Sequence, residues 1–402
     1  MKPSLEFFLK NYLKGEPLSL DVSIHPKDEM YLVSRDRLGS DKAQMMYFKL
    51  GKDLSRTIAQ IVDWRFTARR SSIRVMEFAC GYGRNVRYLV HMFPKENIFV
   101  SDICGDAVSF NREQFGVRGR VSVHDPDQLR WSERFDLILV PSLFAHLPEK
   151  TFSRWIATLF RLLTDDGLLV FSVHGDHLLP SGFETPQSGI YFYNESESAT
   201  LHKSEYGTSH VTERFVRDQI RGATGRDRYA MTRRGFWNFQ DFYMVSKNDD
   251  VDLSSFQYDY GIIGYLDNVV VTPSGALKLI GWAKDTHQPD NAGLSVLAVV
   301  DGDEAGVTST FVAREDVARG WDNGFLQTGY QIVIPQFYAK HRLDNTLVVD
   351  VVSSTHRECI HALPLDVSLT DNRAAPQPNP STPMSVLLRR ASKFLRTWKL
   401  GP

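Results

Sequence analysis

The sequence predicts an α/β domain with a seven-stranded, mostly parallel sheet, followed by a smaller all-β domain. Between residues 72 and 174, short apolar runs alternate with helix-like segments, and this alternation is typical of parallel strands covered by helices on both faces. Two further strand-like runs end this region, and we expect them to pair antiparallel with each other. After residue 250, strand-like runs follow one another without helical segments, which indicates a second domain.

The first 70 residues are predicted to form a helical cap on the α/β domain. In DLSRTIAQIVDWRF, residues 53–66, the side chains of Leu54, Ile58 and Ile61 recur at helical spacing and define one apolar face. Charges interrupt the apolar residues at the very start of the chain, so we do not expect a signal peptide there.

The α/β domain is predicted to occupy residues 71–248. Its predicted strands are 73–79, 97–102, 120–125, 135–142, 167–174, 228–235 and 239–247. An insertion at about 182–227 is polar and aromatic, and long insertions of this kind commonly act as lids or binding loops.

Residues 251–366 are predicted to form a small β-sandwich. The strand-like runs of this part are 276–283, 294–300, 330–335 and 345–352. Asp301-Gly302 is typical of a two-residue hairpin turn. Short strands separated by turns at this spacing fit a sandwich of two antiparallel sheets.

Two segments follow the predicted sandwich. Residues 367–383 are rich in Pro, Asn and Ser, which indicates a linker. Residues 384–400 place apolar side chains, among them Phe394 and Trp398, on one helical face and only basic charges on the opposite face. This pattern is typical of a helix that lies on an anionic membrane surface. Packing against the protein's own domains, or pairing in an oligomer, is the alternative.

Composition narrows the classes of function and location. A net charge of −1 over 402 residues gives no argument for a nucleic-acid partner, and no recognition motif for one is present. Three cysteines fit neither a disulfide framework nor a zinc site. The sequence contains no run of about 18 apolar residues, which a membrane-spanning helix would require. We therefore expect a cytoplasmic protein, with peripheral attachment to the inner face of the cell membrane through residues 384–400.

The stretch MEFACGYGR, residues 76–84, predicts a ligand site at the first strand-to-helix turn. Glycines at such a turn let the backbone and the helix N-terminus approach a ligand closely. A dinucleotide fingerprint requires a third glycine, and none follows Gly83 at the required position. The dinucleotide fingerprint also has no acidic residue inside the first strand, where this sequence has Glu77. A turn with purely structural glycines is the remaining alternative.

VMEFACGYGR resembles the first motif of class I S-adenosylmethionine-dependent methyltransferases, in which an acidic residue precedes Gly-x-Gly-x-Gly. FDLILVPSLFAHLP, residues 135–148, and DDGLLVFSVHG, residues 165–175, resemble later segments of the same family. The resemblance covers roughly residues 70–247 and implies a Rossmann-like fold, methyltransferase activity and S-adenosylmethionine as the cofactor. The residues that it implies in cofactor binding are Glu77, Ala79, Gly81, Gly83, Asp102 at the end of the second predicted strand, and Asp125 at the end of the third.

One position departs from the motif, since Ala79 stands where the family has its first glycine. A methyl group is tolerated there if the φ angle is negative, and we therefore expect a negative φ. In the family, the acid at Asp102 binds the ribose hydroxyls, for which a carboxylate is a suitable acceptor. The acid at Asp125 contacts the adenine amino group.

The catalytic candidates are two histidines near the predicted carboxyl edge of the sheet. Methyl transfer needs a general base only when the acceptor must lose a proton. His174 follows the fifth predicted strand, at the edge where α/β sheets bind ligands, and is our first candidate for this base. His146, in the His-Leu-Pro turn after the fourth strand, is the second; a local structural role is the alternative for each. His177 lies three residues after His174 without a clear third ligand nearby, so no metal site is predicted.

Aromatic side chains concentrate in the insertion and in the last strand pair. Tyr206 and Trp237 are the candidates for acceptor binding, because aromatic faces stack on sugars and aromatic acceptors. EYGTSHV, residues 205–211, and NFQDFY, residues 238–243, resemble a subgroup of these methyltransferases from bacterial surface-polysaccharide gene clusters. LIGWAKD, residues 279–285, resembles a small β-module that accompanies glycosyltransferase and methyltransferase domains in bacterial cell-envelope proteins.

These resemblances imply O-methylation of a sugar or glycan acceptor during synthesis of a cell-envelope polysaccharide. Two alternatives stay open at this point. One is a methyltransferase for a small molecule or a lipid, which the aromatic insertion allows. The other is an interaction protein that keeps the cofactor fold without catalysis.

Overall fold

The computed structural model describes residues 3–12, 20–179, 182–196, 198, 201–321, 325–335, 337 and 346–364. The chain divides into two compact units, Leu18–Tyr258 and a second unit made of Met1–Pro17 and Asp259–Pro402. The predicted linker at 367–383 and the predicted helix at 384–400 lie outside the described residues. Within the described residues, no helix is both long enough and apolar enough to cross a membrane.

Eight α-helices occur in the described part of the chain. They are α1 (Pro3–Tyr12), α2 (Glu29–Leu38), α3 (Ser40–Phe66), α4 (Val86–Met92), α5 (Gly105–Phe115), α6 (Glu149–Arg161), α7 (Glu213–Thr224) and α8 (Glu315–Gly320). The helix predicted at 53–66 is confirmed as the second half of α3, where Leu54, Ile58 and Ile61 are buried as expected.

The unit Leu18–Tyr258 is built on one mixed sheet. Its strands are β1 (Val75–Phe78), β2 (Ile98–Asp102), β3 (Arg118–Val121), β4 (Phe135–Val140), β5 (Leu163–Gly175), β6 (Ile190–Tyr193), β7 (Thr208–Val211), β8 (Ala230–Phe236) and β9 (Gln240–Ser246). Strands β3, β2, β1, β4 and β5 lie side by side in that order and pair parallel. Every residue of β1 and β4 is buried, which is typical of parallel strands covered on both faces. A mostly parallel sheet with helices is thus confirmed.

The sheet has nine strands in its described part, not the predicted seven. The predicted antiparallel pair is present as β8 and β9, and β9 pairs with residues Leu168–Val173 of β5. Because β5 is 13 residues long, its last two residues extend beyond β9. These two residues, His174 and Gly175, pair parallel with β7, which in turn pairs with β6. The insertion predicted as a loop therefore contributes two strands and the helix α7.

The second unit contains two four-stranded antiparallel sheets. Its strands are β10 (Ile262–Val271), β11 (Leu277–Asp285), β12 (Ser295–Val300), β13 (Asp303–Thr308), β14 (Val312–Ala313), β15 (Gln327–Ile334), β16 (Thr346–Val352) and β17 (Arg357–Pro364). The sheet orders are β10–β11–β15–β14 and β13–β12–β16–β17. Buried side chains from both sheets, such as Leu279 and Val349, belong to one hydrophobic cluster. Asp301 and Gly302 both have positive φ angles, +52° and +97°, as a type I′ hairpin turn requires.

Helix α1 belongs to this second unit, although the sequence placed residues 1–70 together as one cap. Leu5, Phe8 and Tyr12 are buried, and their spacing puts them on one face of the helix. The helix lies against β17. Burial of this apolar face against a sheet explains why α1 separates from α2 and α3.

Candidate active site

The turn between β1 and α4 holds three residues in the left-handed region of backbone conformation. Ala79, Gly81 and Gly83 have φ angles of +59°, +52° and +75°. The expectation of a negative φ at Ala79 is therefore wrong. The backbone N–H of Ala79 donates a hydrogen bond to the carbonyl oxygen of Ser101, at 2.7 Å, so the pairing with β2 holds Ala79 in a conformation that costs an L-residue roughly 1–2 kcal/mol.

The two glycines of this turn serve different purposes. A Cβ atom at Gly81 would meet nothing within 4 Å, whereas one at Gly83 would lie 2.5 Å from Asn111 Oδ1 and 2.5 Å from the ring of Phe115. Gly83 is therefore required for packing against α5. The open space at Gly81 leaves the backbone accessible to a ligand.

Glu77 is a buried acid with one unsatisfied oxygen. Its side chain is 1% exposed, and its Oε1 accepts a hydrogen bond from Asn85 Nδ2 at 2.8 Å. Its Oε2 is buried and has no hydrogen-bond partner among the described residues. Burial raises the pKa of this carboxyl to about 7. An unpaired buried carboxylate oxygen costs stability, so its presence beside an open glycine turn suits a polar ligand.

Asp102, the last residue of β2, lies against the same turn. Its Oδ2 accepts a hydrogen bond from the backbone N–H of Gly81 at 2.8 Å, and its Oδ1 accepts one from the N–H of Cys104 at 2.9 Å. Burial raises the pKa of the Asp102 carboxyl, and these backbone hydrogen bonds oppose the rise. The structure thus brings Glu77, Ala79, Gly81, Gly83 and Asp102 together at one place.

Asp125 lies in a different environment from the other five predicted cofactor residues. Strand β3 ends at Val121, so Asp125 does not end a strand as predicted but follows in the loop. There its side chain accepts a hydrogen bond from the N–H of Asp127 and begins the short turn Pro126–Gln128. It also forms an ion pair with Arg154 of α6 at 2.5 Å. The contact between Asp125 and adenine stays a prediction.

The two catalytic candidates lie in a cluster of histidines at the carboxyl edge of β4 and β5. The ring centroids of His146 and His174 are 6.0 Å apart, and those of His174 and His210 are 5.3 Å apart. His146 Nδ1 lies 2.8 Å from the carbonyl oxygen of Gly207. Burial, followed by the neighbouring His210 and His146, holds the pKa of His174 well below its usual range.

His174 is tied into a buried hydrogen-bond network. Gln240 Nε2 lies 3.1 Å from His174 Nε2 and 3.2 Å from Ser142 Oγ. Gln240 Oε1 accepts a hydrogen bond from Ser172 Oγ at 2.7 Å. Because the Gln240 amide donates to His174 Nε2, the imidazole lone pair at this nitrogen is occupied.

The two acceptor candidates occupy different places. The ring of Tyr206 stacks on His146 with a centroid distance of 4.6 Å and so belongs to the histidine cluster. Trp237 lies in the β8–β9 turn, donates a hydrogen bond from Nε1 to the carbonyl oxygen of Leu50, and carries the guanidinium of Arg84 over its ring. Trp237 therefore borders the glycine turn and not the histidines.

Sequence reasoning missed His210 and Gln240 as members of the histidine cluster, and it missed Asp241, whose Oδ2 lies 3.7 Å from His177 Nδ1. His210 lies in β7, within a segment that the sequence indicated only as an insertion. Gln240 and Asp241 begin β9, where the sequence pattern indicates only a strand. Among the described residues, no group of three or more His, Cys, Asp or Glu side chains is arranged to hold a metal ion.

Comparison with known proteins agrees with the motif at the first turn. Residues 75–167 match the family model described as "Methyltransferase domain". Malonyl-(acyl-carrier protein) O-methyltransferase from Bacillus anthracis is 26% identical over 181 residues, which are 42% of this chain and 66% of that protein. The protein of the same name from Geobacter sulfurreducens is 27% identical over 175 residues, 42% of this chain and 61% of its own. The matches thus span somewhat less than two thirds of these relatives.

Among solved structures, an S-adenosylmethionine-dependent methyltransferase from Clostridium acetobutylicum aligns with 49% of this chain and 92% of its own, at 14% identity and a TM-score of 0.36. By the family-model match, residues 75–167 form a methyltransferase domain. The match over residues 75–167 agrees with the enzyme class, and with it the cofactor S-adenosylmethionine, that the sequence predicts.

Proposed function

We propose that the protein transfers the methyl group of S-adenosylmethionine to an oxygen of a sugar or glycan acceptor in the synthesis of a bacterial cell-envelope polysaccharide. This proposal rests on the burial of the histidine cluster and on the neutral state of its imidazoles. Its members His174 and His210 are buried, and burial lowers the pKa of each, so both imidazoles are neutral near pH 7. Neutral hydrogen-bonding groups next to the aromatic ring of Tyr206 suit an uncharged, hydroxyl-rich acceptor.

The cofactor side of the site is assigned to the residues around the first turn. Glu77 and Asp102 supply carboxylate acceptors for the polar groups of the cofactor, and the open backbone at Gly81 gives it room. Ala79, Gly83 and Asp125 complete the predicted set. When bound, the cofactor supplies an electrophilic methyl group on a sulfonium. The protein then has to orient the acceptor and exclude water.

Carboxyl methylation is the second candidate. The Bacillus anthracis and Geobacter sulfurreducens relatives are both malonyl-(acyl-carrier protein) O-methyltransferases. A carboxylate acceptor would need no general base, and its product would be an ester. A sugar hydroxyl would instead give an ether. Methylation of a small molecule or lipid, and a purely structural role, are tested by the same experiments.

The test begins with cofactor binding. Calorimetry of the full-length protein with S-adenosylhomocysteine should show saturable heat, and no heat at high micromolar ligand would refute the proposal. Purified cell-envelope polysaccharide and an acyl-carrier-protein fraction are then incubated with methyl-labelled S-adenosylmethionine. Mild alkali releases methanol from esters but not from ethers, so alkali-stable label in the polysaccharide supports a sugar acceptor. Alkali-labile label in the protein fraction would favour carboxyl methylation.

The appended parts belong to the same proposal. We propose that residues 384–400 attach the protein to an anionic membrane surface, because each basic residue near such a surface contributes about 1 kcal/mol. The β-sheets of the second unit would then bind glycan or mediate assembly. Flotation of full-length protein with anionic vesicles tests the attachment, and deletion of residues 384–402 is the control. If the full-length protein does not float, the attachment is refuted.

A further inference from the structure

We propose that Phe183, Tyr191 and Tyr193 bind the sugar units that flank the methylated unit of an oligosaccharide or polysaccharide acceptor. These three side chains are called the aromatic track. The inference rests on the proposed glycan acceptor and deepens it, because it distinguishes a polymeric acceptor from a free monosaccharide.

The aromatic track is a continuous row of ring contacts that leads to the histidine cluster. The ring centroids of Phe183 and Tyr191 are 5.6 Å apart, and those of Tyr191 and Tyr193 are 5.9 Å apart. The ring of Tyr193 lies nearly parallel to that of His210, at 6.2 Å and 11°, and His210 contacts His174. Phe183 is 47% exposed, and the two tyrosines are partly exposed. His210 is buried, so the row connects solvent with the interior of the site.

The two tyrosines of the aromatic track lie on the face of β6 that does not pack on the core. Side chains two residues apart in a strand point to the same face, so Tyr191 and Tyr193 share one. Tyr191 lies directly opposite His210 of β7. Phe192, between the tyrosines, points to the other face and packs against the hydrophobic core. The core therefore explains the conformation of Phe192 but not the two partly exposed rings beside it.

The β6–β7 hairpin holds the aromatic track on a firm support. A Cβ atom at Gly207 would lie 2.5 Å from the ring of Phe192, so the two strands approach each other closely there. The backbone N–H of Gly207 donates to the carbonyl oxygen of His146 at 3.0 Å, and Ser209 Oγ donates to that of Leu147 at 2.5 Å. These bonds anchor the hairpin on the turn after β4. A surface that is already ordered loses less entropy when a ligand binds.

The inner end of the aromatic track lies near the glycine turn. The guanidinium of Arg84, in that turn, lies over the ring of Trp237 at 5.4 Å. Two residues further along the chain, the ring of Phe239 lies 5.4 Å from that of His174. In addition, β1 pairs directly with β4, and these strands end at the glycine turn and before His146. A sugar unit at the histidine cluster is therefore close to the methyl donor, and its neighbours along the chain extend over the aromatic track.

The chemistry of the insertion favours a neutral sugar chain. Tyrosine offers a ring face to the C–H groups of a sugar and a hydroxyl to its oxygens. Strands β6 and β7 contain no Lys or Arg, and residues 182–211 carry four Glu against one Lys, a formal charge of −3. Acceptors that bear phosphate or carboxylate groups are repelled by such a charge. A nucleotide-linked sugar therefore suits this surface less well than an uncharged oligosaccharide.

The first test measures binding without turnover. The cell-envelope polysaccharide is partly hydrolysed, and its monosaccharide and hexasaccharide fractions are titrated into full-length protein saturated with S-adenosylhomocysteine. We expect the hexasaccharide to bind about tenfold more tightly, because its linked units contact the aromatic track together. Phe183→Ala, at an exposed loop position, should weaken hexasaccharide binding about fivefold. It should leave monosaccharide binding unchanged.

The second test separates the ring of Tyr191 from its role in the fold. Tyr191→Ala should raise KM for the hexasaccharide about fivefold with kcat unchanged, because a unit that does not react binds equally in the ground and transition states. Tyr191→Phe keeps the ring and should retain most of the affinity. Met30→Ala, which removes an apolar side chain of similar exposure on α2, is the control and should change neither value. An unchanged affinity for S-adenosylhomocysteine reports an intact fold in each variant.

An equal loss with both fractions, or no loss with the hexasaccharide, would overturn the aromatic track as a glycan site. Octyl β-D-glucopyranoside tests a different occupant. If it binds as tightly as the hexasaccharide and is weakened equally by Phe183→Ala, the rings take an alkyl chain and the proposal is refuted.

Failure of the proposed function gives a different result. If the monosaccharide and the hexasaccharide are methylated with equal KM, the proposed function stands and the aromatic track is refuted. If label enters only carboxyl groups, the proposed function fails. The hexasaccharide titration still decides the aromatic track in that case, because it requires no methyl transfer.

Discussion

Replacement of Glu77 by glutamine should separate the stability of the protein from its affinity for the cofactor. Glutamine keeps the shape of the side chain and can accept the hydrogen bond from Asn85, but it carries no charge. Burial raises the pKa of the Glu77 carboxyl from the ordinary 4.5 to about 7. Ionisation of this group therefore costs the folded protein about 3 kcal/mol.

The sign of the pH dependence follows from this raised pKa. Below pH 4.5 the carboxyl is protonated in both the folded and the unfolded protein, and the wild-type protein has its full stability. Between pH 4.5 and about 7, the unfolded chain has released this proton while the folded protein still holds it. The free energy of unfolding therefore falls over this interval, and the loss is complete once the pH exceeds about 7. Glu77→Gln does not titrate, so its stability relative to wild type should rise by about 3 kcal/mol between pH 4.5 and pH 8.

Urea-dependent hydrogen exchange of peptides that cover β1 and β4 measures this difference in the full-length protein, because it reports the unfolding of their own unit. Glu96→Gln, at an exposed position, is the control and should show no such trend. Calorimetry should show weaker binding of S-adenosylhomocysteine to Glu77→Gln by about tenfold or more, as expected when a hydrogen bond to a charged group is lost. Parallel pH curves for the variant and the wild type, or unchanged affinity, would refute the reasoning.

Four further substitutions test the first turn and the neighbouring Asp102. Ala79→Gly should raise the free energy of unfolding by about 0.5–1 kcal/mol in the same exchange experiment, because it relieves a positive φ at the expense of some chain entropy; a loss of stability would contradict the left-handed conformation. Gly83→Ala should lower stability by about 2 kcal/mol or more through the clash with α5. Gly81→Ala should mainly weaken S-adenosylhomocysteine binding in calorimetry. A larger loss of stability in Gly81→Ala than in Gly83→Ala would be inconsistent with the turn as described. Asp102→Ala should weaken S-adenosylhomocysteine about tenfold or more, while Asp106→Ala, one turn away at an exposed position, should not.

The grouping of the predicted cofactor residues at the first turn could be foreseen from the sequence, because it depends on local order along the chain. Glu77 and Asp102 lie in adjacent parallel strands whose apolar runs were recognisable, and the carboxyl ends of such strands meet at one edge of the sheet. The sign of φ at Ala79 could not be predicted in this way, since it is set by a hydrogen bond to Ser101 in the neighbouring strand. The prediction that Asp125 ends a strand is wrong, because β3 ends four residues earlier than its apolar pattern suggested.

The histidine cluster could not be predicted because it depends on pairings between distant segments. His210 reaches the site only because β5 extends beyond β9 and pairs with β7. Asp241 Oδ2 lies 3.7 Å from His177 Nδ1, and Asp241 Oδ1 accepts a hydrogen bond from the N–H of Arg234 in a bulge of β8, where the register against β9 shifts. Neither the overhang nor the bulge has a signature in residue periodicity, which reports the face of a strand but not its partner.

The extent of the family-model match limits what it can suggest about the methyl acceptor. The match to the methyltransferase domain ends at residue 167, before His174, His177, His210 and Asp241. The segment that matches the family model therefore includes the predicted cofactor residues Glu77 and Asp102 and leaves out the predicted base His174 and the predicted acceptor residues Tyr206 and Trp237. Similarity in the first part is a reason to expect the same methyl donor. It is no reason to expect the same acceptor, because the end of β5, the insertion and the β8–β9 hairpin, where the predicted acceptor residues lie, fall outside residues 75–167.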